Sequence, residues 1–240
     1  MSSSIPPPYV QYQIRSGFLQ VKSEEGDAFG AFSAQPVIVR RFPGVVLMHD
    51  WWGLNANLRF LTDQLAQAGF VVIAPDLFDG QKADTPAKAQ ELMAQFRERR
   101  AYRRLLDCVE VLRQNHNTGS RVGVVGVGLG GGFAFKAVAQ GAAIHAAVAA
   151  PGFPQHWLGK LSTGAAVMAL FGAQDPLIPA EAVEALRTDL GTHGEVIRLP
   201  ALGHDLWPDD PTGPQAEQSL IALRHIAHFL HQHLDDGRAH

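Results

Sequence analysis

The chain has 240 residues, enough to bury a sizeable core within one domain. Hydrophobic residues make up 46% and charged residues 18%, the balance of a folded globular chain, and a net charge of −3 offers no basic footprint for nucleic acid or an anionic membrane surface. Cys108, the single cysteine, excludes an internal disulfide and a CxxC metal site.

The N-terminal stretch MSSSIPPPYV lacks the basic start and apolar run of a signal peptide. No run approaches the roughly 18 apolar residues of a membrane helix. A cytoplasmic protein is therefore expected, monomeric, with a dimer as the alternative. The triple proline at 6–8 marks an extended arm over residues 1–16. Residues 17–22 and 28–33 flank the turn-like Glu24-Glu25-Gly26-Asp27, which predicts an antiparallel hairpin. Short, Val-rich apolar runs follow at 45–48, 71–74, 122–125, 146–149, 167–171 and 196–199. Their unbroken apolar character fits parallel strands covered on both faces. Between them lie helical stripes: Leu58, Leu61 and Leu65; Ala89, Leu92, Met93 and Phe96; Leu105, Cys108, Val109 and Leu112; Val183, Leu186 and Leu190; and finally Leu223, Ile226, Ala227 and Leu230. This alternation predicts one doubly wound α/β domain over 17–234, with a mostly parallel sheet and a C-terminal tail at 235–240.

The glycine run GVGLGGG at 126–132 falls between a strand and a helix and fits two frames. Gly126, Gly128 and Gly131 satisfy G-x-G-x-x-G, a dinucleotide fingerprint. That motif wants an acidic residue about 20 positions on to hold the ribose, and residues 141–150, GAAIHAAVAA, contain none. Gly126 and Gly130 also fit the outer glycines of a strand–turn–helix nucleophile elbow, with Gly128 at the centre, where it offers no attacking side chain.

The downstream residues favour the elbow. Asp175 in FGAQDPLIP and His204 in LPALGHDLWP each follow a strand, in the acid-then-histidine order of α/β-hydrolases. In such a pair the histidine is a general base, and the carboxylate fixes its tautomer and stabilises the imidazolium. Alone, either residue reads more readily as an ordinary loop position. Upstream, LMHDWWGLN places Trp51 where a backbone N–H would complete an oxyanion hole with that of Leu129. Trp52 and Trp207 are the aromatic candidates for the pocket wall, Trp52 having core packing as its competing assignment.

Together HDWWGLN, APDLFDGQ, VGVVGVGLGGGFAF, GAQDPLIP and LGHDLWP resemble the dienelactone hydrolase, or carboxymethylenebutenolidase, family. The resemblance implies an α/β-hydrolase fold, ester or lactone hydrolysis without a cofactor or metal, His204 and Asp175 as the base pair, and Asp50 as the acidic residue beside the nucleophile. The family nucleophile is a cysteine, or serine in related hydrolases, at the position of Gly128. The arginines that hold a substrate carboxylate in dienelactone enzymes are missing, with Gly80 and Pro208 near their places. Three outcomes stay open: water activated directly by His204; a binding protein that holds a small ester, lactone or anionic ligand without turnover; or an ordinary cysteine or serine hydrolase whose nucleophile has been replaced.

Four lesser signals have bland explanations. Cys108 lies on the apolar stripe of its helix and is expected to be inert. His225, His228 and His231 invite a metal reading, but His225 and His228 fall opposite the Leu223–Ile226–Leu230 stripe and are expected on a solvated face. RERRAYRR at 97–104 is expected to form a helix junction laced by surface ion pairs rather than a phosphate site, and Asp76 to cap a turn.

Overall fold

The computed structural model describes residues 5–23, 26–161, 164–207 and 215–235. Glu24 and Glu25 of the expected turn, Pro208, and the expected tail beyond Asp235 lie outside the described residues.

Eight strands form one sheet: β1 (Ile14–Lys22), β2 (Ala28–Pro36), β3 (Phe42–Met48), β4 (Val71–Pro75), β5 (Thr118–Gly126), β6 (Ala146–Ala149), β7 (Ala166–Gly172) and β8 (Gly194–Leu199). Their spatial order is β1-β2-β4-β3-β5-β6-β7-β8. β1 and β2 pair antiparallel, as do β2 and β4, and every later pair is parallel. This is the expected α/β-hydrolase architecture with its N-terminal hairpin. β1 begins at Ile14, earlier than the hairpin expected from Gly17. Just before it, Tyr12 is fastened by its N–H to the Gln67 carbonyl and by edge packing on Phe42.

The parallel strands read as unbroken apolar runs because both faces are covered. Val46, Met48, Ile73, Val122, Val124, Ala147 and Phe171 pack under α2 (Pro86–Gln95), α3 (Glu98–Gln114), α4 (Leu129–Ala139) and α5 (Ala180–Leu190). Their alternating neighbours Val45, Leu47, Val72, Ala74, Val125, Val148 and Leu170 pack under α1 (Ala56–Gln67) and α6 (Ala216–Leu234). Parallel crossovers of this kind leave the loops at the carboxyl ends of the strands free to carry function.

Three of the minor expectations meet different fates. The arginine run is a helix junction: Arg97 precedes α3 and donates to the Gln95 and Phe96 carbonyls, while Arg100 pairs with Asp79 at 2.8 Å. Arg104 is buried and ties Asp79 and the Asp76 carbonyl to α3. Asp76 caps its turn by accepting the N–H groups of Phe78 and Gly80. The histidine assignment needs correction at one position: His228 is exposed as expected, but His225 is only 5% exposed. It belongs to a stripe formed by Ala222, Ile226 and Phe229, which lies beside the Leu223–Ile226–Leu230 row and widens the buried arc of α6. Burial holds the His225 imidazole below its ordinary pKa. No cluster of metal-binding side chains and no helix able to cross a membrane occurs among the described residues.

Candidate functional site

β5 ends at Gly126, and the chain turns through Val127 and Gly128 into α4. Gly128 has φ +53° and ψ −112°, a conformation that L side chains resist. This is the sharp strand-to-helix turn of an elbow. The turn is pressed tightly against β3: a Cβ on Gly130 would run into the Met48 carbonyl, and one on Gly126 into the Gly130 carbonyl. We expect Gly130→Ala to destabilise the fold by about 3 kcal/mol, because the colliding atoms are backbone and cannot rotate away. Urea unfolding of the variant measures this; a midpoint equal to that of the natural chain would show that the elbow has slack. Leu129 occupies the first helical position, whose N–H has no intrahelical acceptor.

The loops after β7 and β8 are zipped together by two backbone bonds, from Ala173 to the Leu199 carbonyl and from Gln174 to that of Leu202, while the Asp175 N–H turns back onto the Gly172 carbonyl of its own loop. They set Asp175 against His204, with Oδ2 of the carboxylate 2.8 Å from Nδ1 of the ring. The other carboxylate oxygen accepts the Leu177 N–H, and the side chain is 1% exposed. A neutral imidazole facing a carboxylate through Nδ1 carries its proton there and presents Nε2 as an acceptor. The His204 side chain is 30% exposed, with the Phe153 ring 5.5 Å away, centre to centre.

The loop after β3 brings Asp50 to the elbow. A Cβ built on Gly128 would lie 3.0 Å from the Asp50 Cβ. Oδ1 of Asp50 accepts the Trp52 N–H at 2.8 Å. Burial pushes the Asp50 carboxyl up to about 7, the Trp52 N–H opposes this, and the charge of Asp205 adds to the rise. Trp51 packs edge-on against Trp52 beside the same turn. Asp50, Trp52 and Trp207 line one cleft of about 440 Å³ together with Val127, which adjoins Gly128. Trp52 is thus both partly buried against the core and part of the cleft wall.

Two residues that sequence reasoning passed over belong here. His49 is fully buried; its Nε2 accepts the Leu77 N–H, so its Nδ1 donates to the Asp50 carbonyl. It thereby welds the β3 loop to the β4 loop and orients Asp50, and burial holds its pKa down at about 4. Asp205 accepts the Trp207 N–H and joins the cleft wall. Cys108 is buried inside α3, where desolvation raises its thiol pKa, so it supplies no nucleophile.

Comparison with known proteins agrees with this fold. A 98-residue stretch is 36% identical to Protein usf of Aquifex pyrophilus, covering 37% of this chain and 42% of that protein, so the match spans less than half of that relative's length. A dienelactone hydrolase-like promiscuous phosphotriesterase from metagenomic libraries superposes with a TM-score of 0.75 at 19% identity, over 92% of this chain and 99% of that one. The dienelactone hydrolase of Anabaena variabilis does so with a TM-score of 0.69 at 18% identity, over 93% and 100%. At such identities these likenesses speak to the fold. The family model for dienelactone hydrolases matches residues 29–234, nearly the whole described sheet and its helices, and the chain belongs to the dienelactone hydrolase family.

Proposed function

We propose that this protein hydrolyses an ester or lactone bond of a small molecule by direct attack of water, without a covalent acyl-enzyme. The observation that supports this most is the His204–Asp175 hydrogen bond of 2.8 Å, kept on the two loops that follow β7 and β8 although the elbow carries no nucleophile. Nε2 of His204 takes the proton of a water, the hydroxide adds to the carbonyl carbon, and the Leu129 and Trp51 N–H groups receive the developing oxyanion. The imidazolium, stabilised by Asp175, then returns the proton to the leaving alkoxide, so no proton is left over. Lacking a nucleophile, such a site keeps about 10³–10⁴-fold over water from oxyanion stabilisation and binding alone, roughly a million-fold below a complete acyl-transfer site, and general-base catalysis by His204 adds to it.

Turnover of an activated aryl ester and of an aryl-substituted lactone tests this. His204→Ala is expected to lower the rate about 100-fold, with no product burst in either protein. An unchanged rate would overturn the reading. Gly128 itself favours a second reading, in which the scaffold holds a ligand without turnover, because a glycine relieves the strain that a nucleophile must bear at this backbone position. Saturable binding with no hydrolysis by the natural chain would favour that reading instead.

A further inference from the structure

The cleft beside the elbow is built from a repeated element. Asp50-Trp51-Trp52 after β3 and Asp205-Leu206-Trp207 after β8 are both Asp-x-Trp turns. In each, Oδ1 of the aspartate accepts the N–H of the tryptophan two residues on, at 2.8 Å and 2.9 Å. All four of these aspartate and tryptophan residues line the cleft, joined by Asp84, Asn55 and Asn57. No lysine or arginine lines it among the described residues. The start of α1 also borders the cleft, but the Leu58 N–H there is already taken by Asn55.

We infer that, on the hydrolytic reading above, the substrate carries a cationic alkylammonium group, seated between the two Asp-x-Trp turns with Trp52 and Trp207 as its aromatic walls. The physics is that of ammonium recognition. An indole face attracts a cation through its quadrupole, and a weakly hydrated quaternary ammonium loses little on leaving water. Nearby carboxylates add Coulomb attraction, strengthened where burial lowers the dielectric. The same arrangement repels a carboxylate or phosphate, so an anionic substrate is disfavoured on charge as well as by the missing arginines. Burial is the main cause of the raised Asp50 pKa, and the charge of Asp205 adds to it. A cation bound beside these carboxyls would favour their ionised forms, and an anionic ligand would oppose them.

The test uses the full chain and three esters of similar size: acetylcholine, its uncharged carbon isostere 3,3-dimethylbutyl acetate, and monomethyl succinate. Binding is read by calorimetry and by tryptophan fluorescence, independently of turnover. Acetylcholine is expected to bind at least about tenfold more tightly than the isostere, a preference that shrinks as salt rises, while monomethyl succinate binds most weakly. Asp205→Asn, which keeps an Oδ1 acceptor for the Trp207 N–H, combined with Asp84→Asn, is expected to reduce the preference to about threefold or less. Equal binding of acetylcholine and its isostere, or preferential binding of the succinate, would overturn the inference. If acetylcholine binds with the expected preference but is not cleaved, cation selection stands and the hydrolytic reading falls. If the esters are cleaved with no preference for charge, the reverse holds.

Discussion

Gly128→Cys is expected to raise ester hydrolysis at least about 10³-fold over the natural chain. The reasoning rests on the proposed site: His204 is hydrogen-bonded to a buried carboxylate, the strand-to-helix turn leads into α4, and Leu129 starts that helix. The full million-fold is not expected, because a side chain at Gly128 meets both a close neighbour and an unfavourable φ. A cysteine Cβ would sit 3.0 Å from the Asp50 Cβ, so Asp50 must retreat by a few tenths of an ångström. The side chain must also accept φ +53°, at a cost of about 1–3 kcal/mol. The variant should therefore be faster and less stable at once, a trade often seen at strained catalytic positions. Burst kinetics with an aryl ester would report acylation. Alkylation would mark the introduced thiol, since Cys108 is buried and protected. A folded, alkylatable variant that hydrolyses no faster would show that His204, Asp175 and the N–H donors do not form a working set.

Which parts of this protein are legible in its sequence follows from how strongly each is determined. The central strands stand out because each is buried on both faces, so that nearly every position must be apolar. The elbow stands out because its outer glycines answer to steric collisions with backbone carbonyls. Asp175 and His204 are ambiguous singly and informative as an ordered pair behind that elbow. His225 shows the opposite case. An angular stripe drawn through three leucine and isoleucine positions is too narrow for a helix whose buried arc also takes in Ala222 and Phe229. Nor does sequence separation reveal that His49 reaches the Leu77 N–H, because that contact depends on β3 and β4 lying side by side. The cleft needs the same juxtaposition: two Asp-x-Trp segments far apart in the chain become one wall only when the loops after β3 and β8 converge.

The geometry around Asp50 predicts a stability that depends on pH through two opposed groups. Asp50 has a folded pKa raised to about 7 from an ordinary 3.8. Its favourable contribution is complete below about 3.8 and is lost as pH rises through 7, because the unfolded chain ionises it more easily. His49 has a folded pKa lowered to about 4 from 6.5. Its contribution is present above about 6.5 and is lost as pH falls through 4, where the unfolded chain takes up the proton more readily. Between these limits the two slopes have opposite sign, so the natural chain should show little net dependence from this neighbouring pair. Asp50→Asn removes one slope while retaining an Oδ1 acceptor for the Trp52 N–H. The variant is expected to match the natural chain near pH 4 and to exceed it by up to about 4 kcal/mol at pH 8, the equivalent of a three-unit shift. Urea unfolding at the two pH values measures the difference. A gain of the same size at both, or a loss at pH 8, would show that Asp50 is not held against its own ionisation. A gain confined to high pH would mean that the fold tolerates a costly buried carboxyl beside Gly128, as expected where a charge is kept for chemistry or binding rather than for stability.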